Sequence, residues 1–240
     1  MRKIWPLVKK ELAVYFNSPV AYVLGAGFIV FMSVWFFFLL RFPARGVASF
    51  RGYFEIIPVV FTILIPALTM RGWAEERKLG TAELLLTLPY REAHLVAAKF
   101  LGPFLFLCIL IAFTLPLPLT ILPLGNFEMG EILGEYTGIL LLGAAAISLG
   151  QFASALCTNQ VSAFLLGAGA LVFFTLIHHA AGASGVPEFL AACLRYVSLE
   201  YHFGSFRKGV LDTRDIVYFL FICAVFQYLT VKTLVFRKWS

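Results

Sequence analysis

Charge is scarce in this sequence. Of its 240 residues, 13% are Asp, Glu, Lys or Arg, about half the share found in soluble domains. Hydrophobic residues make up 61%, and mean hydropathy is +0.90. That balance excludes an ordinary soluble domain and points to an integral membrane protein. Cysteine is also sparse. Cys108, Cys157, Cys193 and Cys223 stand far apart and form no CxxC, so they read as packing residues, neither a disulfide framework nor a metal set. Segments of about 10 residues with alternating polarity, the mark of transmembrane strands, are missing, which leaves helices. A nucleotide loop is missing too. The nearest string is GSFRKGVL (204–211), where Val210 and Leu211 stand in place of the required Lys and Ser/Thr. The predicted spans carry few ionisable residues. Glu55 and Lys232 sit near ends, and the deeper polar groups, Thr62, Thr114, Gln151 and Gln227, are neutral. Proton coupling through an intramembrane carboxylate is therefore not expected.

The net charge of +6 does not indicate nucleic acid, because the charges gather at the ends of apolar runs. Residues 4–16, IWPLVKKELAVYF, place Trp5, Val8, Leu12 and Tyr15 at helical spacing, with Lys9, Lys10 and Glu11 elsewhere on the wheel. They predict an amphipathic helix within residues 1–18, lying in the membrane interface. Pro6 suits its first turn, and NSP, ending at Pro19, turns the chain into the bilayer. The first apolar run exceeds the roughly 7–15 residues of a signal h-region, so it is expected to be an uncleaved span.

Six spans are predicted, at 19–40, 54–70, 99–124, 136–156, 161–179 and 216–235. Each is close to the ~20 residues that cross a bilayer, although the second is short. The fold class is thus all-α and polytopic, in one domain covering 1–240. Six spans put both termini on one side. More of the 19 lysines and arginines fall on that side than on the other, so the termini are expected in the cytoplasm. Arg41, Arg45 and Arg51 depart from the rule. Glu128, Glu131 and Glu135 read as an acidic outer loop. Residues 180–215 are half apolar and predict short outer helices before the last span. One GxxxG, Gly134–Gly138, permits close helix approach. His178, His179 and His202 are expected to be interface residues. Adjacent helical positions point about 100° apart, so no metal site is expected. GASG (182–185) does not complete GxSxG, since Val186 replaces the last glycine.

Between the second and third spans lies the most charge-dense stretch, 71–98. Arg71, Glu75 and Lys78 are spaced for i,i+4 and i,i+3 pairs. Gly80 fits a helix stop and Thr81 an N-cap, with Glu83 in the following first turn. Pro89 breaks that short helix, and a third helix starts near Arg91. Trp73 supplies an apolar anchor, and the charges are expected to face water or a partner. From these features alone, a solvated loop and a docking element both remain open.

The strings WAEERKLGTAELLLTLPYREAHLVAAKFL (73–101) and KKELAVYFNSPVAYV (9–23) resemble the coupling segment and N-terminal motif of ABC-2 type transporter permeases. The resemblance is closest to permeases of the gliding-motility and nitrous-oxide-reductase-maturation type. It implies a membrane subunit of the bacterial inner membrane, paired with a second permease subunit as a homo- or heterodimer. It also implies a separate cytoplasmic ATPase that binds ATP and Mg, so that this chain holds no cofactor and is not itself an enzyme. Glu75, Glu76, Arg77, Gly80, Thr81 and Glu83 would form the ATPase-coupling surface with Trp73. Lys9, Lys10, Glu11 and Pro19 would mark the N-terminal helix that joins it. A self-sufficient secondary transporter or channel is the alternative.

Overall fold

The computed structural model describes residues 4–40, 50–82, 85, 90–121, 129–181 and 187–238. Among them no strand occurs, and six helices are long and apolar enough to cross a membrane. The protein is a multi-pass helical membrane protein, as predicted.

Helix α1 (Trp5–Phe16) starts on Pro6 and ends at Asn17. Ser18 is extended, the backbone favoured before proline, and α2 (Pro19–Val34) begins with Pro19 in its first turn. A π-helical turn, Trp35–Leu39, prolongs this first span. The short α3 (Arg51–Glu55) precedes α4 (Ile57–Thr69), which runs almost directly into α5 (Arg71–Lys78). The third span is α6 (Glu92–Ala112), with Pro103 inside it, followed by α7 (Pro116–Ile121). The remaining spans are α8 (Met129–Leu156), α9 (Gln160–Ala180) and α12 (Thr213–Lys238). Between α9 and α12 lie α10 (Glu188–Val197) and α11 (Leu199–Phe206), where short helices were expected.

Helix α8 is the hub, packing against α4, α5, α6, α9, α11 and α12. Lipid tails are as apolar as leucine, so spans associate through close packing and hydrogen bonds. Small residues on α8 make that possible. A Cβ at Gly150 would stand 2.3 Å from Thr69 Oγ1, and one at Gly138 would stand 2.6 Å from Phe206 Cβ. The GxxxG pair therefore does permit close approach, and the partner is α11: a Cβ at Gly134 would lie 3.2 Å from Gly209 Cα. Gly209 itself has φ +71, a left-handed turn that leads out of α11.

Ser154 and Gly134 mark opposite ends of α8, about 30 Å apart at 1.5 Å per residue, which is the hydrocarbon thickness. Leu7 and Leu234 pack around Trp73 at the Ser154 end, so the start of α1 and the last turns of α12 lie at that end.

The acidic-loop expectation fails at two positions. The fourth span begins at Met129, earlier than predicted, so Glu131 and Glu135 are helical and buried. Glu131 pairs with Arg51. Neither carboxylate oxygen of Glu135 has a hydrogen-bond partner. Polar residues at a span's end blurred its start in the hydropathy pattern. Arg41, Arg45 and Glu128 lie outside the described residues.

Candidate functional site

The charge-dense stretch builds on the junction of α4 and α5. In an unbroken helix the Ala74 N–H would bond the Met70 carbonyl directly. Here Ser154 of α8 stands between them: its Oγ accepts from the N–H groups of Trp73 and Ala74, at 3.1 and 3.2 Å, and donates to Met70 O at 3.0 Å. A side chain wedged into the ladder is one of the few causes of a helix joint. Trp73 and Ala74 are fully buried beside it. Trp73 packs with Leu95, Val96, Ala155 and Leu234, so the predicted anchor points inward.

Lys99 sits in an otherwise apolar part of α6 and is buried. Its Nζ donates to Glu76 Oε1 at 2.8 Å and to Glu11 Oε1 at 3.2 Å. It also stands 5.0 Å from the centre of the Trp73 ring. One cation thus joins α1, α5 and α6. Gly102, one turn along α6, makes the approach possible, since a Cβ there would meet Glu11 Cβ at 2.9 Å and backbone at 3.4 Å. The expectation that the charges of 71–98 face water or a partner fails for Glu76. The α1 face turned inward holds Leu7, Val8, Glu11, Leu12 and Tyr15, while Trp5 is exposed with Lys9 Nζ 5.8 Å over its ring. The wheel had placed Glu11 away from the apolar stripe, and it is Lys99 that draws it in.

The predicted Arg71–Glu75 and Glu75–Lys78 pairs do not form among the described residues. Arg71 Nη1 reaches Ser18 Oγ at 3.3 Å instead. Tyr15 donates to Leu68 O at 2.9 Å, and burial, with Glu11 nearby, pushes its phenol well above the ordinary tyrosine range, which keeps it a donor. Between α1, α2 and α5 lies a cavity of about 200 Å³, lined by Lys10, Glu11, Ser18, Arg71, Glu75 and Glu76.

At the far end of α5 the chain turns as predicted. Gly80 has φ +69, and its N–H bonds Arg77 O at 3.1 Å. Thr81 Oγ1 donates to Glu76 O at 3.2 Å, which serves the end of α5, and helix resumes at Thr81 as expected. Arg77 reaches Cys157 O at 3.5 Å. Lys78, Leu79 and Gly80 are exposed, Leu79 at 68%. Glu83 and Pro89 lie outside the described residues.

Behind this surface runs an amide relay. Gln227 donates to Gln151 Oε1 at 2.9 Å, and Gln151 donates to Val96 O at 2.9 Å, which ties α12, α8 and α6 together. The residues missed from sequence are Lys99, Ser154 and Ser18. Lys99 alone left a signal: one charge in the run AAKFLGPFLF.

The assembly is an exposed tip carried on a braced helix that continues a membrane span. The Ser154 joint ties this helix to α8 and α4, and Lys99 ties it to α1 and α6. Residues 5–199 match the profile of the family described as ABC-2 family transporter protein. A search among curated proteins finds no match.

Proposed function

The chain belongs to the ABC-2 family of transporter proteins, and from that premise we propose that it is the permease subunit through which a separate cytoplasmic ATPase drives export. In this reading the α5 tip and the outer face of α1 receive the ATPase, and a second permease subunit completes the path. The termini are cytoplasmic, the membrane is a bacterial inner membrane, and the permease group is the gliding-motility and nitrous-oxide-reductase-maturation type. The observation that carries the reading is the tip itself. Leu79 and Gly80 are exposed at the end of a helix whose other contacts are buried, paired and shared among α1, α6 and α8. A solvated loop would not need that bracing.

The test is co-purification with the ABC ATPase encoded beside this chain. Leu79→Asp is expected to cut recovery of the ATPase at least tenfold, the loss of about 1.4 kcal/mol, while the permease inserts and melts as before. Gly80→Pro should do the same, because proline cannot adopt φ +69. Undiminished recovery with both variants, or the lack of any such ATPase gene, would overturn the proposal.

One observation favours the alternative of a self-sufficient, ion-coupled transporter, namely the buried Glu135. On the ATPase reading, Glu135→Gln leaves ATPase recovery and turnover unchanged. It is also expected to hold or raise the melting temperature, since an unpaired buried carboxylate costs about 1–3 kcal/mol or more. Ion-dependent transport that proceeds without any ATPase and is lost in Glu135→Gln would count for the alternative.

A further inference from the structure

We propose that His178, His179 and Glu200 form a binding site for a divalent transition-metal ion, which fastens α11 to the end of the fifth span.

The three side chains come from two elements, α9 and α11. One ligand atom from each lies within 4.8 Å of the others. The two imidazoles, neighbours in sequence, turn their rings toward each other to a centroid separation of 4.0 Å. Zinc ligands at bond lengths of about 2.0–2.1 Å stand roughly 3.4 Å apart in a tetrahedron. Side-chain rotation by about an ångström therefore suffices to close the set.

The hydrogen bonds around His178 assign its tautomer. Its Nδ1 lies 3.0 Å from Thr175 O and 3.0 Å from Ser198 Oγ. A carbonyl can only accept. Ser198 has one hydroxyl hydrogen, and it goes to Thr175 O at 3.0 Å. The same Oγ accepts the Tyr201 N–H at 3.4 Å. Both neighbours of Nδ1 are therefore acceptors, so Nδ1 carries the proton and Nε2 keeps its lone pair. This is the arrangement of a metal-ligating histidine, whose other nitrogen donates to an oxygen of the protein. Ser198 also caps the first turn of α11, so the residue that orients His178 places Glu200 two positions later.

Glu200 supplies the second, independent sign. Its Oε2 is buried and has no hydrogen-bond partner. Buried polar atoms are nearly always satisfied, and an unsatisfied one calls for a partner such as an ion. The rim is polar, with Tyr201, Ser205 and Arg207 among the residues lining the adjoining cavity. Two imidazoles and one carboxylate suit zinc and, in the usual affinity order, copper(II), and they leave a fourth position for water. Magnesium and calcium prefer all-oxygen sites.

The test is titration of the full-length protein with Zn²⁺, in detergent and with a purification tag that contains no histidine. One zinc per chain is expected, with a rise in melting temperature. His179→Ala changes an exposed residue and should leave the metal-free melting point unchanged while weakening zinc binding at least tenfold. Glu200→Gln should do likewise. Ser198→Ala, which frees the His178 tautomer, should weaken binding about 10–100-fold and keep the stoichiometry. Cys193→Ser, on the neighbouring α10, should change nothing. Absence of saturable zinc binding overturns the proposal, as does binding that survives both His179→Ala and Glu200→Gln.

Discussion

Lys99→Ala is expected to destabilise the protein by about 3–5 kcal/mol, the cost of stranding a buried charge by removing its partner. The lysine side chain is 4% exposed, and Glu11 and Glu76 are 16% and 19% exposed. Removing the one cation leaves two carboxylates close together in a water-poor site, with Glu76 Oε2 already unpartnered. For a chain of this size, each kcal/mol shifts the melting point by about 2–4 °C, so a fall of roughly 6–20 °C should follow. A thiol-reactive dye can report it, because Cys108, Cys157 and Cys223 are half-buried and open on unfolding. Replacing the whole trio by neutral side chains of similar size (Lys99→Met, Glu11→Gln, Glu76→Gln) should recover most of the loss, since neutralised buried ion pairs are often no less stable. A melting point unchanged by Lys99→Ala would mean that the trio does not hold α1 and α5 on α6.

Gly102→Val should detach α1 without removing any charge. The added Cβ would meet the Glu11 side chain at 2.9 Å and backbone at 3.4 Å. Backbone cannot swing aside as a side-chain tip can, so the helix itself must retreat. Overpacking of this kind costs about 1–3 kcal/mol, and it also draws Glu11 away from Lys99. The direct readout is proteolysis or cysteine labelling at the inward-facing Val8, which is 2% exposed. A Val8→Cys reporter should label slowly in the Gly102 background and rapidly in Gly102→Val. Equal labelling rates would show that α1 does not depend on this contact.

Both predictions concern contacts that local pattern does not reveal. The wheel of residues 4–16 placed Glu11 on the solvent side, because an amphipathic reading assigns every charge to water. The cation that reverses this, Lys99, lies 88 positions away. Trp73 was legible as an anchor, although its direction was not. Arg71 and Glu75 had the spacing of a pair, yet Ser18 and the cavity between α1 and α5 claim Arg71 instead. An i,i+4 pair contributes about 0.2–0.5 kcal/mol, too little to hold an arginine that has a hydroxyl partner on another helix. Glu135 was misplaced for a related reason. Charged residues near a span's end lower local hydropathy, and a window average moves the helix start inward.

Six spans, the proline-led starts of α1 and α2, and the stop at Gly80 could all be read from the residues alone. Each depends on properties that a short stretch carries with it: transfer free energy, the fixed φ of proline, and the freedom of glycine to take φ +69. The tertiary structure decided the rest. It chose which face of α1 meets α6 and set Ser154 into the ladder of α5. It buried Glu135 and turned His178, His179 and Glu200 toward one point. Those outcomes depend on which helices touch and at what height, and in a bundle whose surroundings are as apolar as its core, close packing and a few polar contacts choose that register.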